Sequence, residues 1–142
     1  MDNIIFKRVW QDDDFFSVMI TCSSPLVTAM TEYYVSETII NELICLIEEF
    51  VSGRQTKAKW QSGAFGNGTT PCISLEFVKQ DSRGHIRIEA VMEIEDGGNL
   101  DMHKCCFYIN TELGLLERFG KRLRKINQPD ITASAYLNDE IQ

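Results

Sequence analysis

Gly84-His85-Ile86-Arg87-Ile88-Glu89-Ala90-Val91-Met92-Glu93-Ile94-Glu95 decides how this chain is read. Ile86, Ile88, Ala90, Met92 and Ile94 fall on alternate positions, and every residue between them except Val91 is polar. Successive strand side chains point to opposite faces, so the spacing predicts a strand with one buried and one wet face. A helix would scatter the same apolar residues around its whole circumference. Half-solvated strands of this kind belong to antiparallel sheets.

Neighbouring stretches repeat the pattern. Ile73, Leu75 and Phe77 alternate with Ser74 and Glu76, and the turn Gln80–Gly84 joins them to the first strand as a hairpin. Asp96-Gly97-Gly98-Asn99 is a second turn signal; it leads into Met102–Ile109, where Cys105, Phe107 and Ile109 alternate with Lys104, Cys106 and Tyr108. Upstream, Ile4–Trp10, Phe16–Cys22 and Val27–Val35 read as three strands, separated by Asp12-Asp13-Asp14 and Ser23-Ser24-Pro25. Lys57–Trp60 reads as a short strand.

Two stretches change to helical spacing. Ser36 is an N-cap with Glu37 in the first turn, and Ile39, Ile40, Leu43, Ile44, Ile47, Phe50 and Val51 form a broad apolar face that ends at Gly53. Asn110 or Thr111 is expected to cap the second helix, whose stripe is Leu113, Leu116, Phe119, Leu123 and Ile126. Arg118, Lys121, Arg122, Arg124 and Lys125 gather near its C-terminal end, where cations suit the dipole, and Pro129 stops it. The predicted fold is α+β, in the order βββα-βββ(β)-α. It has a single antiparallel sheet, open or strongly curled, of about six or seven strands with both helices on one face. Residues 1–126 form one domain, and residues 127–142 are expected to be a loosely held tail with at most a short strand near Ile131–Tyr136.

Composition bounds function. At 142 residues, 44% hydrophobic and 25% charged, the chain is globular rather than disordered. Twenty-one acidic against fourteen basic side chains give a net charge of −7, the reverse of a nucleic-acid binder. Acidity favours solubility and encounter with a basic partner. No apolar run approaches the roughly 20 residues of a membrane span, and the start Met-Asp-Asn-Ile-Ile-Phe is unlike a signal peptide, so a cytoplasmic location is expected. The five cysteines include no C-x-x-C pair; Cys22, Cys45 and Cys105 are expected in the core as reduced thiols.

No constellation carries a strong chemical signature. Gly63-Ala-Phe-Gly-Asn-Gly resembles a phosphate cradle but precedes a strand, not the helix such a cradle requires. His103, Cys105 and Cys106 are zinc-type residues without a fourth ligand, and on a strand Cys106 faces away from the other two. Asp12-Asp13-Asp14 lacks the remaining ligands of a calcium loop. Glu89 and Glu93 lie about 13 Å apart along a strand, too far for an acid–base pair. Catalytic, cofactor and metal residues are therefore expected to be absent. Tyr33, Tyr34, Trp60 and Phe65 lie near expected edges and loops, where aromatic anchors beside carboxylates suit a protein-binding surface.

The layout resembles the small WapI-like bacterial immunity proteins encoded beside polymorphic or contact-dependent toxins. The resemblance rests on Asp14–Cys22, on the strand-to-helix passage Tyr34–Leu43, and on the helix ending Ile47-Glu-Glu-Phe50. It also rests on the pair Ile73–Phe77 and Ile86–Ala90, and on Phe107–Leu113 running into the last helix. It implies a non-enzymatic cytoplasmic protein that binds and blocks a cognate toxin, expected to be a basic domain, with no cofactor, nucleic acid or membrane involved. The expected contact residues are Tyr33, Tyr34, Trp60, Glu89 and Glu93. The alternative is a ligand-binding or enzymatic α+β domain with a pocket between sheet and helices, using His103 and Cys105 as a reactive pair. A third is a structural subunit that pairs with its own copies.

Overall fold

In chain order the elements are β1 (Asn3–Gln11), β2 (Phe16–Ser23), β3 (Thr28–Val35), α1 (Glu37–Ser52), β4 (Lys57–Ser62), β5 (Ile73–Lys79), β6 (His85–Glu95), β7 (Met102–Glu112), α2 (Leu113–Leu123) and β8 (Ser134–Tyr136). They come from a computed structural model that describes residues 1–66, 70–97, 102–130 and 132–139. The expected βββα-ββββ-α order holds, and the fold is α+β. The strands, however, form two antiparallel sheets of four, ordered β3-β2-β1-β8 and β4-β5-β6-β7, where one was expected. The physical reason is α1. It carries the chain away from the β3 edge, so β4 starts a second meander instead of extending the first.

The organising stretch behaves as its spacing requires. Ile86, Ile88, Ala90 and Met92 are buried in β6, Ile94 packs at the margin of the core, and Ile88 and Ala90 pair with Phe77 and Leu75 of β5. One core joins both sheets and both helices. Phe6 of β1 meets Trp60 of β4 at 6.1 Å and, edge-on, Phe119 of α2 at 5.7 Å, while Phe50 of α1 meets Phe77 of β5 at 6.0 Å. Each large apolar side chain buried this fully contributes about 1.5–3 kcal/mol.

The first helix is capped as expected: Ser36 Oγ accepts from the Ile39 N–H, and Ile40, Leu43, Ile44, Ile47 and Phe50 are buried. Gly53 ends it through close approach, since a Cβ there would stand 2.6 Å from the Glu49 carbonyl oxygen. The second helix is capped differently from expectation. Asn110 and Thr111 stay in the β7 ladder opposite Arg87 and Ile86, and the Leu113 N–H instead donates to the Gly84 carbonyl at 2.8 Å. Gly120 brings α2 onto α1; a Cβ there would lie 2.9 Å from Ile47 Cγ2.

Two further expectations are corrected. Cys45 is exposed on the outer side of α1, whereas Cys22 and Cys72 are buried and Cys105 is half-buried. The segment expected to be a loose tail is held down: the short strand expected within it forms as β8, which pairs Ala135 with Phe6, and Ala133, Ala135 and Leu137 are buried. It is held because its small and apolar residues complete the β1 side of the core. Ile131, part of the short strand expected there, lies outside the described residues, as do Asn67–Thr69 of the glycine loop and Gly98–Asp101 of the second turn.

Candidate partner-binding surface

The exposed aromatic surface is built by a β-bulge. Arg8 pairs with Val18, yet Trp10 pairs with Ser17, so Val9 is an extra residue in β1. Ile4, Phe6 and Arg8 point inward and are buried. Unbroken alternation would send Trp10 inward as well; the extra residue turns it to the outer face. There Trp10, Ser17 and Tyr34 form one row across β1, β2 and β3. The small Ser17 between them lets the Trp10 and Tyr34 rings approach to 5.9 Å. Phe15, from the β1–β2 turn, stacks on Tyr34 at 5.2 Å and 21°. Trp10, Phe15 and Tyr34 are 47%, 43% and 47% exposed.

An acidic turn borders the rings. The Asp12 N–H donates to the Phe15 carbonyl, and Asp12 Oδ1 accepts from the Asp14 and Phe15 N–H groups at 3.0 and 2.7 Å. Tyr34 Oη donates to Asp12 Oδ2 at 3.0 Å. The Phe15 and Asp14 amides, and then Tyr34, hold the Asp12 carboxyl below the usual aspartate range. Partial desolvation, the Asp12 hydrogen bond and the charges of Asp12 and Asp14 push the Tyr34 phenol up. The carboxylates of Asp13 and Asp14 have no hydrogen-bond or ion-pair partner among the described residues.

Only Tyr34 of the expected contact residues belongs to this cluster. Tyr33 alternates inward, is 1% exposed and donates from Oη to the Glu93 carbonyl at 2.9 Å. Trp60 is 3% exposed on the inner face of β4, with Nε1 donating to the Ile39 carbonyl at 3.1 Å. Glu93 is 7% exposed because the glycine-rich loop folds back over it: its carboxylate accepts from the Gly66 N–H at 3.1 Å and the Cys72 N–H at 2.9 Å. The same loop brings Phe65 under Lys104, 4.6 Å from ring centroid to Nζ. Glu89 is half-buried, paired between Glu76 and Tyr108 on the outer face of the second sheet. Tyr33, Trp60 and Glu93 thus build the fold and do not present themselves to a partner.

Sequence reasoning passed over Trp10 and Phe15. Their signal was available in part, as aromatics flanking Asp12–Asp14, but the bulge that exposes Trp10 leaves no mark in the residue types.

The other constellations resolve into local structure. His103 Nε2 lies 3.5 Å from Asp96 Oδ1, and the Cys105 thiol is pushed up by burial and then by Cys106, the reverse of an activated nucleophile. Burial and the nearby Glu93 charge push the Cys72 thiol up to about 11. Among the described residues no group of three or more His, Cys, Asp or Glu could hold a metal ion, and no helix is long and apolar enough to cross a membrane. At the basic end of α2, Arg118 and Arg122 pair with Asp139, Lys121 with Glu117 and Arg124 with Glu48. No protein-family model, curated protein or solved structure matches the chain.

Proposed function

We propose that the chain acts by binding another protein, and that it is a non-enzymatic immunity-type protein that neutralises a basic toxin domain. The observation that carries the binding role is the exposed Trp10–Phe15–Tyr34 cluster beside the free carboxylates of Asp13 and Asp14. Tryptophan and tyrosine dominate binding hot spots, and a charged rim steers a complementary partner into place. The net charge of −7 adds long-range attraction for a basic protein. The raised Cys105 thiol favours this reading over a reactive His103–Cys105 pair. The toxin assignment rests on the resemblance in the order of elements.

The test is co-purification of the chain with the protein encoded immediately upstream, comparing wild type with the Trp10→Ser/Tyr34→Ser double variant at low and high salt. A stoichiometric complex is expected, weakened by salt and at least about tenfold by the double substitution, the loss typical of a hot spot. A complex indifferent to the double variant would show that the surface is wrongly chosen. If no complex forms at any salt concentration, the immunity reading is abandoned.

A further inference from the structure

We infer that the aromatic cluster receives an arginine side chain of the partner, its guanidinium plane against the rings and its N–H groups on Asp13 and Asp14. This rests on the protein-binding reading and specifies what that surface recognises.

The chain shows the same contact on its own surface. Besides Trp10, Phe15 and Tyr34, the exposed aromatic residues are Tyr108 and Tyr136. Each of those two carries an arginine on its face: Arg87 over Tyr108 and Arg122 over Tyr136, both at 4.1 Å from ring centroid to Cζ. Arg122 combines the two halves of the motif. It lies on Tyr136 while Nη2 donates to Asp139 Oδ1 at 3.2 Å and Nη1 to the Tyr136 carbonyl at 2.9 Å. The Trp10–Phe15–Tyr34 cluster offers rings and carboxylates together, but among the described residues no lysine or arginine lies over it. The described residues include every lysine and arginine in the sequence, so a guanidinium over these rings would come from another molecule.

Arginine fits better than lysine for three reasons. Its guanidinium is planar and stacks on an aromatic face, it is less strongly hydrated than an ammonium, and its forked donors match a carboxylate with two bonds. Arg8, which lines a shallow depression with Asp12–Phe15, is committed inward. It is 6% exposed, donates from Nη1 to the Ile126 and Gln128 carbonyls, and packs over Phe16 at 3.9 Å.

Two capped peptides of equal length and charge test the inference, one alternating Gly with Arg and the other Gly with Lys. Trp10 fluorescence and the Trp10 and Tyr34 ring resonances follow binding; Trp60, 3% exposed, is shielded from the peptide. The arginine peptide is expected to perturb these signals and to bind about two- to fivefold tighter than the lysine peptide. Tyr34→Leu should erase that preference while leaving weak, salt-sensitive binding, and Asp13→Asn/Asp14→Asn should weaken both peptides. Equal affinity of the two peptides, or ring signals that neither moves, overturns the inference. If that happens while Trp10→Ser/Tyr34→Ser still disrupts the protein complex, the surface stands and only its arginine preference falls. If the complex also survives the double variant, the protein-binding reading of this surface fails with it.

Discussion

Asp12 holds the acidic turn from three sides, accepting from the Asp14 and Phe15 amides and from the Tyr34 hydroxyl. Each of these bonds favours the carboxylate, so its folded pKa lies below the ordinary value. A lowered carboxyl pKa stabilises the fold wherever the unfolded chain would have ionised the group, and that contribution fades as pH falls through the folded value. The turn and its aromatic cluster should therefore loosen in acid, below the ordinary aspartate range. Asp12→Asn keeps an acceptor oxygen for the turn but removes the titration, so this acid limb should flatten. Carbon-13 titration of the side-chain carboxyl checks it, and an Asp12 midpoint at or above an ordinary aspartate would contradict the hydrogen-bond assignment. Residue identity alone could not assign roles here. Tyr33 and Tyr34 are the same residue type in adjacent positions, yet strand alternation buries one and exposes the other. The sequence marks the pair as aromatic; the face that each takes is set by the register with which β3 joins β2.

At the scale of elements, local signals within one strand, helix or hairpin were legible, the Gln80–Gly84 hairpin of β5 and β6 among them, and signals that require distant elements to find one another were not. Alternation in β6 and the Ser36 cap of α1 are local, and both appear as read. Asn110 and Thr111 look like caps, but the β7 ladder takes their backbones and Asn138 Oδ1 accepts from Thr111 Oγ1 at 2.7 Å, a competition that local propensity cannot foresee. Glu93 gives the same lesson with a measurable consequence. Its place in the alternation is on the wet face, but the Gly66 and Cys72 amides wrap its carboxylate. Hydrogen bonds to a charged acceptor are worth about 1.5–3 kcal/mol each, and in Glu93→Ala the Cys72 donor would be left buried without a partner, whereas Gly66 is exposed. That variant should lose at least about 2 kcal/mol in denaturant unfolding. It should also speed hydrogen exchange at the Gly66 and Cys72 amides while exchange in α1 follows only the global loss. Unchanged local exchange would mean that the carboxylate does not hold the loop.

The whole molecule depends on its C-terminal segment, which joins what the two meanders leave separate. β8 covers the outer edge of β1, and the Leu137 N–H donates to the Ile4 carbonyl at 2.9 Å. Asn138 then binds both sheets: its N–H donates to Asn3 Oδ1, its Nδ2 to the Asp2 carbonyl, and its Oδ1 accepts from Thr111 of β7. Arg118 and Arg122 of α2 reach Asp139 from the other side. Of this, only the short strand itself was legible in residues 127–142, and β8 falls within the expected 131–136; its closing role arises only once β1 presents an unpaired edge. Leu137 is fully buried at this junction. Leu137→Ala should cost about 2–5 kcal/mol through lost burial and the cavity left behind. At about 4 °C per kcal/mol for a chain of this size, melting should fall by roughly 8–20 °C. Removing residues 132–142 should go further, because an open β1 edge invites pairing with a second chain. Calorimetry and size-exclusion chromatography of the two variants separate the effects. The point variant should melt early as a monomer, whereas the truncated chain should melt earlier still and self-associate. A truncated chain that stays monomeric and melts with the full-length protein would show that the first meander is stable without β8.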